Sequence, residues 1–109
     1  MLEDVVRKGR LLDLYGPLLT DRQRRCMELY FDMDLSLTEI GEELSISRQG
    51  AYDMLNRASK ALEGYEQRLQ LLARSEAVRQ QLEEASQLLA QGTPDAVKQV
   101  QYILNHIDV

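Results

Sequence analysis

The sequence predicts an all-α fold, a helix-turn-helix bundle with a long helical extension on its C-terminal side. Three observations predict it. Apolar residues recur at spacings of three and four along most of the chain, the period of a helix face. Start and stop signals punctuate that pattern: Thr20, Ser47 and Thr93 precede periodic runs, while Gly16-Pro17 and Gln91-Gly92 end them. Aromatic residues are only 6%, with no Trp and one Phe, and long β-branched runs are missing, so sheet has little support. A length of 109 residues suits one hydrophobic core, and an apolar content of 44% suffices to fill it.

The first helix is expected over about Leu2 to Tyr15, with Leu11, Leu14, Tyr15 and Leu18 as its apolar face. Pro17 disfavours helix at Gly16 and ends it there. Thr20-Asp21-Arg22-Gln23 has the form of a capping box and opens a second helix. Its stripe is Cys26, Leu29, Tyr30 and Met33, and it should stop near Asp32. A short third helix runs from Leu37 or Thr38 to Leu44, with Ser36 or Leu37 at its start and Glu39 in its first turn. Ser45-Ile46 forms a turn, and Ser47 caps a fourth helix that continues past Leu62. Leu62, Tyr65, Leu69 and Leu72 follow a heptad-like rhythm that slips before Val78. Ser75 is therefore a candidate cap for a fifth helix, or the site of a kink. Val78, Leu82, Ala85 and Leu89 form the next series. Thr93-Pro94-Asp95 opens a last helix, with Thr at the N-cap, Pro at the first position and an acid in the first turn. We divide the chain into a helix-turn-helix domain at residues 1–62 and an extension at 63–109 that either packs back or dimerises. A helix with a heptad seam favours a homodimer.

The stretch from Leu37 to Leu55 carries the functional signal. Ile40 and Leu44 lie four apart, Ile46 plugs the turn, and Ala51 and Met54 face back from the following helix. Gly41 is small enough for the two helices to cross closely. This is the apolar code of a helix-turn-helix. Ser45 stands where a glycine often supplies a left-handed conformation. Gly50 should cost the exposed face up to about 1 kcal/mol relative to Ala.

In that geometry Ser47, Arg48, Gln49, Tyr52 and Asp53 point outward. Arg suits guanine edges and Gln suits adenine edges. Arg57 and Lys60 continue the helix toward phosphates, as do Arg22, Arg24 and Arg25 at the start of the second helix. Two roles are open to Tyr52: stacking on a base or ribose, or packing its ring on a neighbouring helix. The chain carries a net charge of −5, so any nucleic-acid contact must come from a local basic face.

The runs Leu19 to Phe31, Leu35 to Ile40 and Ile46-Ser47-Arg48 resemble region 4 of bacterial sigma-70 factors, the module that reads promoters. The closer resemblance is to the YlxM family of helix-turn-helix proteins. It rests on Leu35-Ser36-Leu37-Thr38-Glu39-Ile40, on Ile46-Ser47-Arg48-Gln49 with Ala51-Tyr52-Asp53, and on Arg57-Ala58, Leu62-Glu63 and Tyr65-Glu66. It covers roughly Leu2 to Leu72. The resemblance implies a sigma-70 region 4-like bundle and a regulatory role in the signal recognition particle pathway, beside whose GTPase genes the family's genes typically lie. It makes DNA, RNA or signal recognition particle components the expected partners. Tyr52 and Asp53 replace residues with which sigma factors read promoters, so promoter reading of that kind is not expected. The alternative is a protein-interaction module that uses the same surface to bind a GTPase or another protein.

Other chemistries find no support. Cys26 is the single cysteine and sits among apolar positions, the place of a small buried hydrophobe. His106 is the single histidine and has no ligand partners nearby in sequence, so no metal and no cofactor are expected. Glu42-Glu43 and Glu83-Glu84 are sequence neighbours that do not share a helix face. Gly-rich phosphate loops and nucleophile motifs are absent, and catalysis is not expected. The mixed charges of the first ten residues do not form a signal peptide, no stretch would span a bilayer, and a cytoplasmic location is expected.

Overall fold

The computed structural model describes residues 2–107. It contains α1 (Leu2–Tyr15), a 3₁₀ turn (Gly16–Leu18), α2 (Asp21–Phe31), α3 (Leu37–Leu44), α4 (Arg48–Leu69), α5 (Leu71–Gln91) and α6 (Pro94–Asn105). The described residues form no strand. The chain divides into two compact units, Met1–Gln70 and Leu71–Val109.

Capping chemistry sets most helix starts. Thr20 and Ser36 each complete a capping box, with Gln23 and Glu39 respectively as the reciprocal partner. The Ser47 hydroxyl accepts from the Gly50 N–H at 2.9 Å, and Thr93 accepts from Ala96 at 3.1 Å. Each of these bonds satisfies a donor that helix geometry would otherwise leave unpaired.

In the first unit α1, α2 and α3 all pack on α4. Ala51, Leu55, Ala58 and Leu62 give α4 its buried stripe. Against it lie Leu11, Leu12 and Tyr15 of α1, Cys26, Met27 and Leu29 of α2, and Ile40 of α3, all buried. Burying each large apolar side chain of this set stabilises the unit by about 1.5–3 kcal/mol before entropy is counted. Polar links tie α1 to the far half of α4. Arg7 and Lys8 both pair with Glu63, and the buried Tyr15 hydroxyl donates to Glu66 Oε1 at 2.6 Å.

Four sequence expectations need correction. Leu14 and Leu18 are exposed, and Leu12 takes the inner place, because the 3₁₀ turn breaks the register that would align Leu18. In α2 Met27 is buried in place of Tyr30 and Met33; Met33 lies beyond the Asp32 C-cap. The heptad seam does not run through one helix: Gln70 adopts a left-handed conformation (φ 55°, ψ 31°) and separates α4 from α5. Ser75 lies inside α5, and Leu69 is exposed. Gly50 is half-buried against Ile46 and does not sit on the open face.

The second unit is a hairpin of α5 and α6. Gly92 turns it at φ +68°, a conformation glycine adopts without strain. Ala85, Ala96 and Val100 are buried, while Leu82, Leu89, Val97, Tyr102 and Leu104 are exposed. His106 stacks on Tyr102 with centroids 4.0 Å apart, and its Nδ1 lies 2.7 Å from the Tyr102 carbonyl.

Candidate nucleic-acid interface

The turn between α3 and α4 is built from three backbone features. Ser45 takes the left-handed conformation (φ 57°, ψ 44°) that ends α3. The Ile46 N–H then donates to the Gly41 carbonyl at 2.8 Å. Gly41 lets the incoming chain pass over α3 at contact distance: a Cβ built there would lie 2.7 Å from the Ile46 carbonyl oxygen. The expected helix-turn-helix crossing is thus present, with α4 as its second helix.

The crossing fixes which residues of α4 face outward. Arg48, Gln49, Tyr52 and Asp53 are exposed, as are Ser47, Arg57 and Lys60. Gln49 Nε2 donates to Asp53 Oδ1 at 3.1 Å, so the one acid of this face is already engaged by its neighbour. Arg48, Arg57 and Lys60 make none of the hydrogen bonds or ion pairs of the described residues, and their charge is unspent.

Of the three arginines of α2, Arg25 is exposed and the other two turn to different sides. Arg22 joins Arg57, Asp53 and Gln23 around a groove of about 460 Å³ between the start of α2 and α4. Its Nη2 donates to the Leu44 carbonyl at 3.0 Å and closes the C-terminal end of α3. Arg24 turns toward the Gly16 turn and pairs with Glu28 at 3.2 Å. The structure therefore places Arg22 with the α4 residues and Arg24 apart from them.

Two further surfaces adjoin this face, and the first of them depends on packing between helices. Tyr30 and Phe31 of α2 meet Tyr52, Asn56 and Ser59 of α4 around a cavity of about 200 Å³, floored by Leu37 and Leu55. Tyr52 and Asn56 share a face by their spacing of four, but only tertiary packing brings α2 to them. On the other side Glu39, Glu42 and Glu43 give α3 an acidic outer face. Contrary to the expectation from adjacency alone, Glu42 and Glu43 line it together, three and four residues after Glu39. The Ser36 backbone N–H, and then its hydroxyl, hold the Glu39 carboxyl below the usual carboxylate range.

Cys26 is fully buried, and burial pushes its thiol pKa up, opposed in part by the charge of Arg22. Among the described residues no three His, Cys, Asp or Glu side chains are grouped to hold a metal ion. Among the described residues no helix is long and apolar enough to cross a membrane.

The profile of a family described as "Putative helix-turn-helix protein, YlxM / p13 like" matches residues 2–103. A UPF0122 protein of Halalkalibacterium halodurans is 47% identical over 88 residues, spanning 78% of this chain and 81% of that protein. One from Shouchella clausii is 39% identical over 108 residues, 99% of this chain and 97% of the relative. Another from Caldanaerobacter subterraneus subsp. tengcongensis is 43% identical over 89 residues, 82% and 76% of the two chains. With a crossing of helix-turn-helix form at Gly41 and this match along nearly its whole length, the chain belongs to the YlxM/p13-like UPF0122 family of helix-turn-helix proteins.

Proposed function

We propose that this chain is a cytoplasmic regulatory protein that binds nucleic acid through the exposed face of α4 and acts in the signal recognition particle pathway. The observation that carries the binding is the set Arg48, Arg57 and Lys60, exposed and without protein partners on a helix whose inner face is locked into the core. Unpaired cations on a helix held in the core attract phosphate and present it a fixed backbone register. Arg48 and Gln49 lie in the first turn of α4, where helix-turn-helix proteins meet base edges. Arg22, beside Arg57 on the α2 side, is assigned a phosphate contact; Arg24, paired with Glu28 away from α4, is not. The pathway assignment rests on the resemblance to the YlxM family.

The test is binding of the purified protein to duplex DNA and to signal recognition particle RNA at low and moderate salt. Affinity should fall steeply with salt, Lys60→Ala should reduce the slope of log K against log salt by about 1, and Arg48→Ala should weaken binding with a smaller change in slope. No binding to either nucleic acid at low salt refutes the reading.

A second reading is favoured by a different observation. Glu39, Glu42 and Glu43 place an acidic face on α3, the helix that crosses the phosphate backbone in the usual helix-turn-helix docking. This surface would then bind a protein, a GTPase of the same pathway first, and that binding would survive Arg48→Ala. We further propose a homodimer formed through the second unit. A two-helix hairpin cannot enclose all its apolar residues, and Leu82, Leu89, Val97 and Leu104 are left exposed. Sedimentation equilibrium should show a dimer that Leu89→Glu dissociates; a monomeric wild type refutes it.

A further inference from the structure

We propose that the cavity between α2 and α4 binds one unpaired nucleobase, so that the protein prefers single-stranded nucleic acid to duplex. This rests on the nucleic-acid reading of α4 and names its ligand.

The cavity has the chemistry of a base pocket. Tyr52 is 48% exposed and its ring pairs with no other ring among the described residues. Tyr30 is also exposed, braced edge-on by Phe31 with centroids 5.0 Å apart and 76° between the planes. Two tyrosine rings thus border one cavity of about 200 Å³ without stacking on each other. Open aromatic faces of this kind stack on bases whatever their identity. Asn56 supplies a donor and an acceptor at the rim, and its amide makes no hydrogen bond among the described residues. The Ser59 hydroxyl, whose protein partner is only the Met27 sulfur at 4.0 Å, adds a second polar group. Such groups read the edge of a base that pairing does not occupy.

The surroundings favour a nucleotide over an apolar peptide side chain. Arg48, Tyr52, Asn56 and Lys60 follow one another at intervals of four along α4. Each interval advances about 6 Å along the helix axis. A cation therefore stands one turn before the stacking ring and another stands one turn after the amide. The two cations stand about 18 Å apart along the axis, so that order suits phosphates on either side of the bound nucleotide along a strand of a few residues. A peptide side chain would use the rings and leave Asn56 and both cations idle. A duplex hides its bases from such a pocket, and the acids of α3 oppose its second strand.

The test uses the full chain and three probes of one mixed sequence: an unstructured RNA octanucleotide, the same strand as DNA, and the duplex DNA. Each single strand carries one 2-aminopurine. Binding to the single strands should quench the 2-aminopurine. Tyr52→Ala should weaken that binding about tenfold or more, with Tyr52→Phe close to wild type and the salt slope unchanged. Asn56→Ala should weaken it with no change in salt slope. Equal losses on RNA and DNA strands assign the pocket to the base alone; a loss confined to RNA adds a contact to the 2′-hydroxyl. Single strands that bind Tyr52→Ala and Tyr30→Ala as tightly as wild type overturn the pocket and leave the cationic face standing. Tight duplex binding without single-strand binding overturns it likewise. Absence of binding to all three overturns both readings. Tyr30 and Tyr52 are each more than half buried, and Tyr30 packs edge-on against Phe31. Each alanine variant is therefore melted alongside its binding assay, and Tyr52→Phe, which keeps the ring, separates lost stacking from lost fold.

Discussion

Gly41→Ala should destabilise the first unit even though it replaces the second-worst helix former with the best. An alanine inside a helix gains about 0.8–1.0 kcal/mol over glycine. At Gly41 the new Cβ would stand 2.7 Å from the Ile46 carbonyl oxygen and 3.3 Å from the Ser47 carbonyl carbon and oxygen. All three atoms are backbone, and the Ile46 N–H is held to the Gly41 carbonyl at 2.8 Å, so the turn has little freedom to recede. Overpacking of this kind costs about 1–3 kcal/mol. A backbone obstacle belongs at the upper end, and the net loss should be about 1–2 kcal/mol. Gly64 is the control, because it lies inside α4 with nothing within 4 Å of a Cβ. Gly64→Ala should gain about 1 kcal/mol. Urea titration followed by tyrosine fluorescence reports mainly on this unit, since Tyr15, Tyr30, Tyr52 and Tyr65 lie in it. The two variants should differ in midpoint by about 1 M or more. A Gly41→Ala midpoint at or above wild type would show that α3 and α4 do not cross at backbone contact, and the helix-turn-helix geometry would have to be redrawn.

Further outcomes follow from single features. Ser45→Gly should raise stability by about 1 kcal/mol in the same titration, because a left-handed conformation costs a residue with a Cβ about that much. Hydrogen bonding from Arg7, assisted by Lys8 and opposed by partial burial, lowers the pKa of Glu63 to about 2. Its contribution is therefore present above the ordinary carboxylate pKa and is lost as pH falls from about 4.5 toward 2. The pair is more than a third exposed, so solvent screening limits that contribution to about 0.5–1 kcal/mol. Glu63→Gln should lose that much at pH 7, less in 1 M NaCl, and nothing near pH 2; an equal loss at all pH values assigns the effect to packing. Cys26 should resist a thiol reagent in the native protein and react once urea unfolds it. Rapid native labelling would show that α2 opens from α4 without global unfolding.

How far the sequence can be read here depends on the range of the interaction that decides each feature. Caps act over three residues, and Thr20, Ser36, Ser47 and Thr93 stand where local chemistry puts them. The close approach at Gly41 was legible because it pairs a small residue with a plug, Ile46, five positions on. The break at Gln70 was not, because no Gly or Pro marks it and a residue with a Cβ pays to enter the left-handed region. Burial was misread wherever helix phase was extrapolated past a helix end, as at Leu18 and Met33. For the candidate interface, Arg48, Gln49 and Tyr52 follow from α4 alone. Tyr30 and Phe31 join them only through packing between α2 and α4. The pairing of Arg22 with the α3 terminus and of Arg24 with Glu28 likewise needs three dimensions.

The charge pattern constrains how any nucleic acid would approach. The chain is acidic overall at −5, so long-range steering works against a polyanion and attraction must be local. At physiological salt, screening reduces the influence of charges beyond about 8 Å. Arg48, Arg57 and Lys60 then act chiefly on phosphates close to α4, and Glu39, Glu42 and Glu43 on those close to α3. A duplex docked with α4 in its major groove brings phosphates over both helices and meets the acids. A single strand laid along α4 meets the cations and can leave α3 untouched. Reversing the α3 charges separates these cases. Glu42→Lys with Glu43→Lys should strengthen duplex binding strongly and change single-strand binding little. Equal gains on both would show that the acids act as a diffuse field, with no orientation for the ligand to follow.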